Sequence, residues 1–409
     1  MEQVLKSDGQ DPTANAPRRG SNQSGMRASN ERLVLSLIRE TGALPKAEIA
    51  RRTGLSAQTV SVIIRALEAD GLLERGTPVR GKIGQPSVPM RLAKEGAFFF
   101  GLKIGRRSLD LVLTNFVGEV QDRVHVSHAY PTPDHTIRFT GQAIDQILSN
   151  LPPEHHARIA GIGIALPFQL WDWAEHLGTG AEDMAEWQGR DIAAEIGAQH
   201  DFPIFTCNDA STACGAELVF GDQNKPRDFL YVFVGFFIGG GLVLDGTVYT
   251  GTTGNAAALG SIPVPGPDGA LHQLVDVASL AVLENALHMS GDANTMIWDT
   301  PTSWTVPDAP LDIWLTNAAR GIAHAILSSV CLIDVNHVLI DGWMPRAMRA
   351  QLVRRVQQHL KSNPVAGIQT PHVSEGTVGS DARALGAASL PLSKRFLSER
   401  NSYLKGPSI

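Results

Sequence analysis

The 409-residue sequence predicts an α/β protein, two lobes of sheet and helix behind a small helical head. Three observations predict it. A short N-terminal segment carries two amphipathic helical patterns broken at one glycine. The remainder repeats one order of elements, sheet then helix, twice over. Charge is divided between the two parts: residues 1–92 carry a net +5 and the rest −11, within an overall −6.

Residues 1–25 are rich in Asn, Gln, Ser, Gly and Pro and poor in apolar side chains, the composition of a disordered tail. Its Arg18-Arg19 pair suits contact with DNA phosphates. Ser29-Asn30 is expected to cap a helix with Leu33, Val34, Leu37 and Ile38 inside, ending near Gly42. Lys46 to Arg52 fits a second helix with Ile49 and Ala50 inward. Gly54 permits a tight turn, because it takes positive φ without a Cβ clash. Leu55 suits the space between the two helices, and Ser56 suits the N-cap of a third helix. There Val60, Ile63, Ile64 and Leu67 recur at helical spacing, opposite Gln58, Thr59, Ser61 and Arg65.

Helices so joined form a helix-turn-helix, whose second helix enters the DNA major groove. Gln and Arg make paired hydrogen bonds to bases there; Thr and Ser reach bases or phosphates. A plain helical hairpin with a solvated face would show the same pattern, but its neighbours favour a DNA reader. Gly71-Leu72-Leu73 opens a stretch holding Arg75, Arg80, Lys82 and Arg91, punctuated by Gly76, Pro78, Gly81, Gly84 and Pro86. That composition fits a hairpin wing with cationic tips, and equally a solvated loop. A basic head on an acidic body is also what attraction to phosphate favours.

Composition excludes other classes. No apolar run approaches the length of a membrane span, and no apolar signal-peptide core stands near the start. The three cysteines, Cys207, Cys214 and Cys331, have neither metal-ligand nor disulfide spacing, so a reducing cytoplasm is the simplest location.

The body opens with strands at Phe98–Ile104, Leu109–Asn115 and Val120–Val126, joined by turns at Gly105-Arg106-Arg107 and Gly118, an antiparallel meander. A helix at His135–Leu148 and a buried strand at Ile159–Leu166 follow. After an irregular stretch with three tryptophans come a helix at Asp191–Ala198 and a strand at Pro203–Cys207. The order then restarts. Strands are expected at Phe229–Gly235, Gly239–Leu244 and Thr247–Tyr249, then a helix at Leu311–Val330, a strand at Val338–Asp341 and a helix at Arg346–Lys361. Paired lobes of this kind leave a cleft, the usual place for a small ligand.

Six ordered blocks carry a resemblance: EIARRTGLSAQTVSVIIRALEADGLL, GKIGQPS, GIGIALP, CNDASTACGAELVFG, IGGGLVLDGTVYTGTTGNAAALGS and GSDARALGAASL. Across roughly residues 27–398 the chain resembles the ROK family (repressors, open reading frames and kinases). Within it the chain looks like the transcriptional-repressor branch of the xylose and N-acetylglucosamine repressors. The resemblance implies a two-lobed actin-like fold, of the sugar-kinase and Hsp70 type, behind a winged helix-turn-helix. The units implied are a tail at 1–25, a DNA-binding head at 27–92, a first lobe at 96–205 completed by a C-terminal helix at 380–398, and a second lobe at 206–379.

The resemblance also assigns residues. Asn208 and Asp209 match the Asn-Asp pair at the sugar site, with Gly254 and Asn255 on the turn nearby. In family kinases the Asp matching Asp209 takes a proton from the attacking sugar hydroxyl. Two departures fall on the ATP side. Lys103 stands where a carboxylate helps hold Mg²⁺, and Gly235-Phe236-Phe237 stands where a glycine-threonine-glycine turn lets backbone N–H groups approach phosphate. Asp209 is then a vestigial base. Ala258-Leu259-Gly260-Ser261 replaces a sugar-contacting Glu and a zinc-ligand His, and His272 alone makes no site. No metal and no cofactor are expected, and the ligand need not be a conventional hexose. Trp171, Trp173 and Trp187 suit either sugar stacking or packing.

The expected function is a DNA-binding transcriptional repressor of sugar metabolism or transport genes, controlled by a sugar-like effector in the cleft, and not an enzyme. Ser56, Gln58, Thr59, Ser61 and Arg65 would face the double-stranded operator, with Arg65 suited to phosphate; Arg80 and Lys82 would meet backbone or minor groove. A homodimer or larger homo-oligomer follows from the need to read two half-sites. The alternative is a sugar kinase with an attached DNA-binding head. A third reading is a repressor whose cleft is vestigial.

Overall fold

The computed structural model describes residues 23–78, 87–167, 184–222, 226–290 and 295–398. Arg80, Lys82, Trp171 and Trp173 lie outside the described residues, as does the tail up to residue 22.

The head begins with α1 (Gln23–Thr41), which runs straight through Ser29-Asn30. The expected cap is therefore helix interior, and residues 23–25 belong to the helix instead of the tail. No proline interrupts this segment, and an Arg27–Glu31 ion pair (2.8 Å) ties one turn to the next across the expected boundary. The helix stops at Gly42, which takes φ +82° and returns its N–H to Ile38 O (2.8 Å). Strand β1 (Ala43–Pro45) leads into α2 (Lys46–Thr53), with Ile49 buried and Ala50 half-buried. Gly54, at φ 70°, closes α2 with a left-handed cap. Ser56 then caps α3 (Ala57–Ala69), and Val60, Ile63, Ile64 and Leu67 are all buried. Strands β2 (Leu73–Arg75) and β3 (Pro89–Leu92) pair antiparallel, with β1 on the other side of β3. This is the stem of the expected wing.

The body holds two five-stranded sheets of one design. In the first lobe β4 (Phe98–Ile104), β5 (Ser108–Asn115) and β6 (Val120–Ser127) form the antiparallel meander. After α4 (Pro133–Asn150), β7 (Ile159–Leu166) joins β4 in parallel; after α5 (Ile192–Gly197), β8 (Ile204–Asn208) joins β7. The spatial order is β6-β5-β4-β7-β8. Helix α6 (Asp209–Phe220) leads to the second lobe. There β9 (Phe229–Val234), β10 (Ile238–Leu244) and β11 (Thr247–Tyr249) repeat the meander. A small hairpin of β12 (Pro263–Pro265) and β13 (Leu271–Gln273) follows, then α7 (Leu280–Met289) and α8 (Asp308–Ile333). Strand β14 (His337–Gly342), α9 (Arg346–Ser362) and β15 (His372–Glu375) complete the order β11-β10-β9-β14-β15. Parallel pairing of β9, β14 and β15 mirrors that of β4, β7 and β8. Strands buried on both faces explain runs such as FLYVFV.

Helix α10 (Ala382–Phe396) closes the fold and sits at its centre. It crosses the first sheet where β4 and β7 each carry a glycine. A Cβ on Gly101 would overlap Ala384 O, and one on Gly163 would overlap Ala387 O. Gly386 gives α6 the same clearance against Thr212 O. The backbone of α10 thus meets those of β4, β7 and α6 with nothing between them, and packing of that kind tolerates little displacement.

The far end of α10 reaches the head. Ala384, Ala388, Leu392 and Leu397 share one buried cluster with Val34, Ile38, Ile64 and Leu67 of the head and with Phe99 and Phe116 of the first lobe. Phe396 stacks edge-on against both rings, at 5.8 and 5.0 Å. Ser398 donates its N–H to Ser36 Oγ (2.9 Å), and the Arg39 guanidinium lies over the Phe116 ring and donates to Phe116 O. Head and first lobe are welded by a common core.

Candidate functional site

On the head, α3 carries the residues that the sequence reading expects at DNA. Ser56 Oγ accepts the N–H of Thr59 (3.1 Å) and lies 2.9 Å from Thr59 Oγ1, so these two hydroxyls hold the helix start together. Gln58 and Arg65 are exposed and Ser61 is half-buried; Arg65 Nε donates to Ser61 O (3.2 Å). Val62 belongs to the same stripe and is 44% exposed, a position the sequence reading left out. Its signal was available: it lies four residues from Gln58 and outside the buried set, and an apolar side chain there suits a thymine methyl. Two cations expected on the wing are engaged elsewhere. Arg75 pairs with Glu68 (2.7 Å) and Arg91 with Glu74 (2.8 Å).

In the body, Asn208 ends β8 and Asp209 starts α6. Asn208 Oδ1 accepts the N–H groups of Ala210 (3.0 Å) and Ser211 (3.2 Å), so its oxygen is committed to capping. Asp209 Oδ2 stands 3.5 Å from Arg383 Nη1 at the start of α10. Gly254 (φ +79°) and Asn255 lie in the turn after β11, which an Ala256 N–H to Thr250 O bond closes (2.9 Å).

Beside Asp209 the two turns at the ends of the meanders interlock. Arg106 lays its guanidinium over the Phe237 ring (4.3 Å), and Arg107 covers Phe236 (4.6 Å). Arg107 also donates to Ala129 O and pairs with Glu284 of α7 (3.2 Å), which accepts the Trp298 indole N–H (2.7 Å). Burial lowers the Arg106 pKa to about 10, with Asp209 opposing that shift and Arg383 adding to it. Gly235 O and Phe236 O accept the N–H groups of Leu280 and Ala281 at the start of α7.

Lys103 occupies the end of β4. Its ammonium donates to Asp110 (2.7 Å) and Ser108 (2.6 Å) and lies 5.2 Å from the Trp343 ring of the second lobe. His125 Nδ1 meets the other Asp110 oxygen (2.6 Å) and stacks on Trp343. Burial opposes the Asp110 carboxylate, yet Lys103 and His125 outweigh it and hold its pKa below the ordinary range. Burial pushes the Lys103 pKa down, against the pull of Asp110.

The structure thus gathers Asp209 with Arg383, Arg106 and Lys103; the sequence reading had placed Lys103 on the ATP side and gave neither arginine a role. Arg383 had a signal, a lone charge in the small-residue run ARALGAAS. Trp187 is core: it is 4% exposed and its indole N–H donates to Pro131 O (3.0 Å). His272 pairs with Asp268 (2.9 Å), and among the described residues no group of three or more His, Cys, Asp or Glu gathers to hold a metal.

Residues 99–279 match the ROK family model, and residues 27–74 match winged helix-turn-helix DNA-binding. The chain carries a ROK domain behind a winged helix-turn-helix head. The chain is similar to the uncharacterized protein y4fQ of Sinorhizobium fredii, 25% identical over 389 residues, 92% of this chain and 95% of that one. It is similar to the xylose repressor of Caldicellulosiruptor bescii, 24% identical over 241 residues, 58% of this chain and 59% of that one. Among solved structures it resembles a ROK family transcriptional regulator described as a homolog of the E. coli MLC protein. That likeness has a TM-score of 0.65 at 20% identity, over 92% of this chain and 98% of that one. A ROK family glucokinase from Streptomyces griseus aligns with a TM-score of 0.55 at 16% identity, over 72% and 99%. At such identities the two structures establish the fold, including a body shared by regulator and kinase.

Proposed function

We propose that this ROK protein is a transcriptional repressor of sugar metabolism or transport genes, whose cleft binds a sugar-like effector and no longer transfers phosphate. The observation that carries the reading is the capped α3, with its Gln58, Ser61, Val62 and Arg65 stripe turned outward on a head fused to a two-lobed body. The xylose repressors among its relatives support the choice of sugar genes. Gln58 and Val62 read base edges; Ser61 and Arg65 contact phosphate or bases. Ser56 and Thr59 set the helix start and offer hydroxyls to the backbone. Arg80 and Lys82 contribute from the wing.

The interlocked turns support the loss of phosphoryl transfer. Catalysis of that reaction rests on positioned donors and metal ions around the phosphates. Here aromatic rings and guanidiniums fill the space between the two turns that the resemblance assigns to phosphate, and Lys103 replaces a carboxylate. A kinase reading predicts sugar-dependent ATP turnover that Asp209→Ala abolishes; the present reading predicts none.

Asp209, the Asn208 amide and the Gly254-Asn255 turn form the effector site. Binding there favours one arrangement of the lobes, and the head follows the first lobe because they share a core. In a homodimer this changes the spacing of two heads on half-sites about one helical turn apart. Electrophoretic mobility shifts with the full chain and the DNA upstream of its own gene test the reading. A shift that a sugar-like compound releases supports it; indifference to all duplexes contradicts it.

A further inference from the structure

Across the cleft the two lobes hold each other through cations and aromatic faces. The first lobe supplies Lys103, Arg106, Arg107 and His125; the second supplies Phe236, Phe237, Glu284 and Trp343. Arg106 lies over the Phe237 ring (4.3 Å). Arg107 lies over Phe236 (4.6 Å) and pairs with Glu284 (3.2 Å). Lys103 and His125 both meet Trp343, at 5.2 and 6.0 Å from its ring, the imidazole within 10° of parallel.

Each side of this contact is first fixed within its own lobe. His128 braces the first turn, with its N–H to Arg107 O and its ring to Gly105 O, both 3.0 Å. Ile238 N–H donates to Ser279 Oγ (3.0 Å) and braces the second turn. The Phe236 ring rests on Trp298 (5.5 Å), and Trp343 donates its indole N–H to Ile297 O (2.9 Å). Groups ordered in advance lose little freedom when they meet, and a desolvated cation over a ring is worth more than an exposed one. The Asp209 side chain is only 14% exposed in this arrangement and faces Arg383 at 3.5 Å. A ligand hydroxyl reaches it only where the lobes part. The joined lobes and an occupied Asp209 therefore exclude one another.

Building on the effector-controlled repressor reading, we propose that these contacts form a latch that keeps the lobes closed, that the latched form is the one whose heads bind the operator, and that the effector acts by selecting the unlatched form. In a repressor that its effector releases, the form that excludes the effector is the form that holds DNA. Latch strength then adds to operator affinity and takes the same free energy from effector affinity. No bridging nucleotide is needed to hold the lobes, because the side chains bridge them.

Hydrogen exchange of the full chain, followed by mass spectrometry, tests the latch without any ligand, and mobility shifts with the DNA upstream of its own gene test its link to the operator. Phe237 is half-buried, so its replacement leaves the core intact. Phe237→Leu keeps an apolar side chain and removes the face that Arg106 covers; Phe237→Tyr keeps the face. In Phe237→Leu the amides of residues 105–108 and 235–237 are expected to exchange at least about threefold faster than in the wild type, with β5 and β9 unchanged, and operator binding to weaken at least about threefold. Phe237→Tyr is expected to restore both. Arg107→Gln is expected to act as Phe237→Leu does, and carries the test where that variant fails to fold. Exchange that is unchanged, that rises equally in β5 and β9, or that Phe237→Tyr does not restore would overturn the latch. Loosened turns with unchanged or tighter operator binding would overturn its control of DNA. A wild-type chain that binds no duplex refutes the repressor reading, while exchange still judges the latch.

Discussion

At the scale of single residues, ion pairs explain why the cleft looks as it does. Lys103 and Asp110 are both about 95% or more buried, and a buried pair resists losing one member far more than losing both. Asp110→Asn therefore leaves an ammonium without its charge partner and is expected to cost about 3–5 kcal/mol, read by denaturant unfolding. Replacing both, as Lys103→Met with Asp110→Leu, is expected to cost much less; equal losses would show that the pair is not the source. His128 provides a pH dependence. Burial lowers its pKa to about 4, although its ring meets Gly105 O at 3.0 Å. The unfolded chain takes this proton first, near the ordinary 6.5. The stability His128 contributes is present above that value and is lost as the pH falls toward 4. The melting temperature should drop between pH 7 and pH 5, and less steeply in His128→Gln. On DNA, Arg65→Ala is expected to weaken operator binding by about tenfold and to reduce its salt slope by about one. Gln58→Ala should instead change which sequence binds best, seen in competition with altered duplexes.

At the scale of elements, α10 joins what the chain keeps far apart. It carries Arg383 at one end and the Leu392 contact with the head at the other, where Leu397 follows it into the same core. Gly163→Ala drives a methyl into Ala387 O; the expected cost is about 1–3 kcal/mol, with weakened release of DNA by the effector. Unaltered release at reduced stability would leave α10 a purely structural strut. Element positions were largely legible in the sequence, because they rest on local pattern: the Ser56 cap, the four buried positions of α3, and the meander FFFGLKI onward. The start of α1 was not, since a Ser-Asn pair caps a helix only where the chain before it is not already helical. The site was half legible. Asn208-Asp209 could be found from a motif, but Arg106 meets Arg383 across 277 positions and Lys103 meets Trp343 across 240. Only the packing of α10 and the second lobe on β4 brings them together.

At the scale of the whole molecule, two lobes of one design and a head share a chain, but not on equal terms. The head's core runs on into the first lobe through Phe99, Phe116 and Ala388. A head cut out at residue 92 would expose that surface, so its DNA affinity is best measured in the full chain. Among the described residues no helix is long and apolar enough to cross a membrane. The head's net +5 already counts its acidic residues, and local pairs such as Arg51–Glu48 and Arg75–Glu68 engage some of its cations, so fewer side chains are available to phosphate than the number of Lys and Arg implies. The most direct test of the central claim is selection of bound duplexes from a random-sequence pool by the full chain. The account predicts enrichment of an inverted repeat with half-site centres spaced by whole helical turns. A pool that stays random through repeated rounds at low salt would contradict it.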